Sequence, residues 1–440
     1  MTKTSARTEA HPPIGVRPPV PSGPARPSPA QAAGLPYDPA PGPERGGGHP
    51  SATEAIRVGA FLLSAQFPGQ THAEVLERTV GATLAAERAG LDSVWLAEHH
   101  FVPYGVCPDA ATLAALLLGR TRRIGVGTAV SVLSTAHPVS LGEQAALLHL
   151  TSGGRFTLGV GRGGPWIDLD VFGGGLAAYE QGFPERLDLL LRWLRDARVG
   201  ADGPQFSFPE VTVVPQASEP PRPVNLSSWL GLEAVAPAGA PLLPPLLPRQ
   251  RVDAPGAAPA VGRAPAGPPV VVACTSPAGV RLAAERGLPM LLGMHSGDED
   301  KQQMLAMYRA AWRACGRGED QLVRVGAEHV AAGVAQVEDG TAAARATLLR
   351  SMPGWFEYGL GAHRTVDGRE RRMRDPHEYT ALLCDLHAVG TPRQAADRLL
   401  ATAERTGIRR FALLAEGSGD HRATLDNIAR LGAEVLPQLS

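Results

Sequence analysis

Residues 93–101 read S-V-W-L-A-E-H-H-F. Val94, Trp95 and Leu96 form a short apolar run suited to a buried parallel strand, after which the polarity switches to Glu98, His99 and His100. A carboxylate and two imidazoles at the carboxyl end of a strand can exchange protons at neutral pH, because an unperturbed imidazole titrates near ~6.5. The plain alternative is a pair of loop histidines without a chemical task. A second motif, Gly159-Val160-Gly161-Arg162-Gly163-Gly164, matches G-x-G-x-x-G literally. It leads into the non-helical P-W-I-D-L-D-V-F-G-G-G, so a dinucleotide fingerprint is set aside. Gly161 and Gly163 instead allow a ligand to approach the backbone closely, with Arg162 aimed at an anion. No His, Asp and Glu cluster has metal-ligand spacing, and Cys107, Cys274, Cys315 and Cys384 include no C-x-x-C pair. Neither a metal site nor a disulfide framework is expected.

These groups need a scaffold, and the chain supplies one by alternation. Strand-like runs fall at 56–63, 93–97, 124–133, 156–160, 270–273, 290–294, 323–334 and 411–415, interleaved with helical patterns. Eight such units predict an α/β fold, a closed (β/α)8 TIM barrel with its active face at the strand carboxyl ends. A doubly wound open sheet is the fallback. Residues 1–54 and 216–267 are crowded with Pro, Gly and Ala and lack apolar periodicity. They predict a disordered tail and an insertion interrupting a barrel of residues 55–440.

With 440 residues, 44% of them hydrophobic, the chain can bury a large core, and its net charge of -1 favours a small-molecule partner over nucleic acid or a membrane surface. The opening MTKTSARTEAHPPIGVRPP lacks the apolar core of a signal peptide, and no apolar run is long enough to span a bilayer. A soluble cytoplasmic protein is expected.

Taken in order, V-G-A-F-L-L, W-L-A-E-H-H-F, V-G-T-A-V-S-V-L-S-T-A-H-P-V, G-R-F-T-L-G-V-G-R-G, A-A-E-R-G-L-P-M and V-G-T-P resemble the bacterial luciferase-like flavin monooxygenases, above all the luciferase α-subunit branch. The resemblance implies a TIM barrel that takes FMNH2 from a separate flavin reductase and oxygenates a small organic substrate with O2 through a flavin hydroperoxide. It also implies a homodimer. A sister branch implies a reduced deazaflavin coenzyme and hydride transfer instead, and a third reading is a non-catalytic flavin-binding partner subunit.

Carried over residue by residue, His99 matches the catalytic histidine, and Glu98 and His100 match its neighbours; by its chemistry Glu98 either fixes the His99 tautomer or polarises the flavin, or is a structural carboxylate. Ala129 and Val130 match a non-proline cis peptide lying against the flavin ring. Arg162 and Arg186 match the arginines that grip the FMN phosphate, and Thr275 and Ser276 the cofactor-binding turn. His100, Phe101, Tyr104, Trp166 and Met294 are expected to line the substrate pocket, with residues 361–377 as its lid. Departures are Gly161 in place of a reactive cysteine, Gly279 in place of a hydroxyl residue, Met294 in place of a tryptophan, and a shorter lid loop. They weaken the implied aldehyde substrate more than the implied flavin.

Overall fold

In a computed structural model the described residues are 55–219, 221, 267–369 and 374–439. Twelve strands are found among them: β1 (Arg57–Leu62), β2 (Ser93–Leu96), β3 (Gly125–Thr128), β4 (Ser131–Val132), β5 (Phe156–Gly161), β6 (Arg198–Asp202), β7 (Ser207–Thr212), β8 (Val270–Cys274), β9 (Met290–Leu292), β10 (Val330–Val337), β11 (Ala388–Gly390) and β12 (Arg410–Leu414). Eight of them, β1-β2-β3-β5-β8-β9-β10-β12, pair in parallel, and β12 returns to β1 to close the barrel. The TIM-barrel expectation therefore holds. Closure leaves no unpaired edge, and short buried parallel strands are stable only in such a setting.

The helices are α1 (His72–Arg88), α2 (Ala110–Arg120), α3 (Pro138–Thr151), α4 (Asp168–Val171), α5 (Gly175–Glu180), α6 (Phe183–Arg195), α7 (Pro277–Arg286), α8 (Asp298–Ala314), α9 (Glu319–Gly326), α10 (Thr341–Leu360), α11 (Pro376–Leu386), α12 (Pro392–Thr406) and α13 (His421–Arg430). Side chains alternate along each strand. Val58, Ala60 and Leu62 of β1 join the layer shared with the helices, whereas Phe61 and Leu63 join Trp95, Val271, Leu291 and Leu414 inside the barrel. None of the described helices is long and apolar enough to cross a membrane.

Two expected strands are corrected. The run at 124–133 splits into β3 and β4 around a cis Ala129–Val130 peptide, and the Thr128 hydroxyl takes the place of ladder bonds by bridging Gly159 O (2.7 Å) and Gly159 N (2.9 Å). The seventh strand begins at Val330, not 323, because the preceding E-D-Q-L-V-R-V-G is helical. Its first-turn acids Glu319 and Asp320 suit a helix N-terminus, and Leu322 and Val325, three apart, bury one face.

The expected tail of 1–54 lies outside the described residues, as does most of the expected insertion. The described flanks of the latter meet: a β carbon on Gly267 would lie 3.6 Å from that of Ala217.

Candidate active site

β2 ends at Leu96, and the Ala97 amide still reaches Leu62 O (3.1 Å), so the chain leaves the barrel wall at Glu98. Glu98 Oε1 accepts the Val132 amide (3.0 Å) and lies 3.5 Å from His100 Nε2. This carboxylate therefore holds the end of β2 to β4. His100 meets Phe172 edge-on at 4.8 Å. Burial raises the carboxyl pKa of Asp168, against the Leu169 amide bond and the neighbouring His100, which lower it.

His99 is placed differently. Its amide donates to Cys107 O (2.9 Å), its ring stands edge-on to Tyr104 at 4.9 Å, and its buried Nδ1 has no hydrogen-bond partner among the described residues. Burial, reinforced by His363 and His100, pushes its pKa down to about 3. At pH 7 His99 is thus a neutral imidazole, which corrects the expectation of a group titrating near neutrality.

Behind it the chain turns tightly, with Ser64 at φ 52° and Ser64 O accepting the Val106 amide (2.9 Å). The turn is bolted to the end of β12 by fully buried Glu416, whose Oε1 accepts the amides of Leu63 (2.6 Å) and Ala65 (3.3 Å) and whose Oε2 lies 3.6 Å from Arg78 Nε.

Next round the mouth, the cis Ala129–Val130 peptide faces β5. Close approach there requires glycine: a β carbon on Gly159 would fall 1.9 Å from Thr128 O, and one on Gly161 would fall 2.6 Å from Val130 Cγ2. Arg162 follows at the surface, donating to the Tyr179 hydroxyl (3.1 Å) with its guanidinium 4.1 Å from that ring.

Arg186 reaches the same neighbourhood from α6, but it is largely committed. Its Nε donates to Gln205 Oε1 (2.8 Å), and one terminal nitrogen donates to Leu133 O (3.3 Å) and Ala136 O (3.1 Å). The other terminal nitrogen faces Gly174, at the start of α5. The two arginines therefore flank α5, Arg162 as the freer cation and Arg186 as a strut. Ser276 caps α7 by accepting the Gly279 amide (3.3 Å), and Thr275 beside it is exposed.

The expected pocket residues separate into three groups. Tyr104 stacks on Trp355 at 4.8 Å, and the Trp355 indole donates to Tyr104 O (3.1 Å). Trp166 packs on His363 at 4.6 Å, while Ile167 N bonds Arg364 O (2.9 Å) and Val366 N bonds Pro165 O (2.9 Å). The described part of the expected lid is thus laced to the segment after β5, and His363, 6.1 Å from Tyr104, joins this cover to the wall around His99. Met294 is buried inside the barrel, and its carbonyl pairs with His387 Nε2 (2.6 Å). Phe101, at φ 61°, is 59% exposed and stacks with exposed Phe172.

A cavity of about 840 Å³ opens beside this wall, and none of the five expected pocket residues lines it. Sequence reasoning also passed over Asp168, Tyr179 and Phe172; α4 and α5 are too short for periodicity to reveal. His363 was within the expected lid but unsingled, and its place in that loop was the only available signal.

The sequence profile of the family described as luciferase-like monooxygenase matches residues 56–410. The chain is similar to an alkanal monooxygenase alpha chain from a Kryptophanaron alfredi symbiont, 26% identical over 401 residues, covering 87% of this chain and 98% of that protein. Among solved structures it is similar to the FMN-bound oxygenating constituent of 3,6-diketocamphane monooxygenase of Pseudomonas putida, a type II Baeyer-Villiger enzyme (TM-score 0.62, 18% identity, 88% of this chain and 99% of that one). It also resembles an F420-dependent secondary alcohol dehydrogenase in complex with an F420-acetone adduct (TM-score 0.57, 16% identity, 88% and 100%). At these identities the solved structures bear on fold alone.

Proposed function

The chain belongs to the luciferase-like monooxygenase family, and from that premise we propose that it is the oxygenase of a two-component system, taking FMNH2 from a separate reductase and using O2 to oxygenate a small organic substrate. The observation that carries this reading is the buried, unpartnered His99 Nδ1 at a barrel mouth where β5 ends in side-chain-free Gly161. A polar atom buried without a partner is costly unless a ligand completes it, and glycine at 161 keeps the floor low enough for a flat ring.

The residues fit a flavin. Arg162, Thr275 and Ser276 would hold an anionic phosphate, with Arg186 bracing the 133–136 loop. When bound, reduced flavin supplies the two electrons that divide O2 between substrate and water. His99 holds or moves a proton at its ring nitrogens without carrying charge, and Glu98 keeps β2 and β4 in register around it. The Trp166–His363–Tyr104 cover excludes water. Exposed Leu116 on α2 and Leu147 on α3 provide apolar surface for a homodimer contact.

An oxygen electrode and a peroxide assay test the proposal. With chemically reduced FMN the protein should consume O2, a substrate should divert the product from H2O2, and His99→Ala should lower that diversion by about a hundredfold. Turnover only with reduced deazaflavin, and none with FMNH2, would establish hydride transfer. Full activity in His99→Ala would instead leave the chain as a non-catalytic partner subunit.

A further inference from the structure

The cavity of about 840 Å³ lies between α10 and α11, with His295 at one side. Pro353, Phe356, Leu360 and Tyr379 supply apolar lining, and the Phe356 and Tyr379 rings pack at 5.0 Å. Phe356 also belongs to the wall of the His99 site, its ring 6.5 Å from that of Tyr104. Leu360 and Gly361 then lead the cavity toward His363 and the cover over the barrel mouth.

Two cations on this lining have no carboxylate partner among the described residues. Exposed Arg350 makes one bond, to Thr347 Oγ1 (3.2 Å), and exposed Arg374 lies over the Tyr379 ring at 5.5 Å. Of the two acids present, Asp375 is occupied in capping α11, accepting the His377 and Glu378 amides at 2.9 Å each. Glu357 is the other. Burial first, then Arg374 and Lys301, push the His295 pKa down, and Asp300 opposes them. A guanidinium with an open fork above an aromatic floor is suited to a planar carboxylate whose ring rests on that floor.

We propose that this cavity is the enzyme's organic-substrate site and that the substrate class is an aromatic or alicyclic carboxylic acid, its apolar body on Phe356, Tyr379 and Pro353 and its carboxylate at Arg350 and Arg374. The inference rests on the monooxygenase reading for the word substrate, but the binding it asserts does not require flavin.

The test is equilibrium binding of 2-naphthoate and its neutral isostere 2-naphthamide to the full chain without flavin. The acid should bind about tenfold more tightly than the amide at low salt, and the preference should shrink as salt is added. Arg374→Gln and Arg350→Gln should each reduce it, and the double variant should abolish it while leaving amide binding in place. Because both side chains are exposed, an unchanged melting temperature confirms that the variants are folded. Equal binding of acid and amide, binding of neither, or a preference surviving in the double variant overturns the proposal. FMNH2-dependent O2 uptake is measured separately: if it is absent while the acid preference holds, the anion site stands and the monooxygenase reading fails.

Discussion

Gly105 lies directly against His99: a β carbon at 105 would come within 2.6 Å of His99 Nδ1 and 2.4 Å of Leu63 O. The carbonyl belongs to the turn held by Glu416, and backbone cannot retreat as a side-chain tip can. The 105 segment must therefore shift off Leu63 O, and the imidazole packed against it must move as well. Gly105→Ala should keep the barrel but displace His99, lowering substrate-dependent oxygenation by about a hundredfold, in line with the cost of misplacing a reacting group by an ångström. Steady-state kinetics beside a melting curve separates this from simple unfolding; unchanged kcat would show that His99 tolerates the displacement.

The Glu416–Arg78 pair is buried on both sides and joins the last strand to the first turn. Removing one partner leaves a buried charge and, for Glu416→Ala, two amides without their acceptor. A loss of about 3–5 kcal/mol is expected, read as a lower urea midpoint. Arg78→Met with Glu416→Gln should recover part of it, since the uncompensated charge is the larger cost.

Acid should weaken the fold before the carboxylates titrate. Burial holds His99 and His329 at about 3 and His387 at about 4 in the folded chain, whereas their unfolded values lie near 6.5. Their contribution is whole above 6.5 and is lost progressively as pH falls toward those folded values, because unfolding then takes up protons. Glu416, with its pKa raised by burial, works in the opposite sense. Between pH 7.5 and 5.5 the net loss should be about 2–4 kcal/mol. Urea titrations at both values check it, and His329→Gln should remove about a third of the slope.

The contacts that tie the cover over the mouth include the Trp166–His363 ring contact and the backbone bonds of Ile167 and Val366. His363→Ala deletes the ring while sparing the backbone bonds. Water should then enter, and the share of O2 released as H2O2 should rise by about twofold while FMN affinity stays the same. Peroxide yield per flavin oxidised measures this; an unchanged yield would mean that the cover does not keep solvent out.

Much of this was legible in the chain as local chemistry. The apolar run before Glu98, the glycines at 161 and 163 and the order of βα units all announce a barrel with a titratable mouth, because alternation and backbone freedom act between near neighbours. The cis Ala129–Val130 bond was foreseen through family resemblance, not from spacing. What closure of the barrel alone decided is which distant groups meet. Arg186, apt for a phosphate by its residue type, became a strut because Leu133 O, Ala136 O and Gln205 arrive around it. His99 lost its ordinary pKa because closure buries it, with His363 and His100 adding to the effect, and Glu416 found Leu63 across 353 residues only when the last strand returned to the first. Sequence fixes what each side chain can do. Burial and long-range contact, which depend on how the whole cylinder packs, determine which of those capacities is left available.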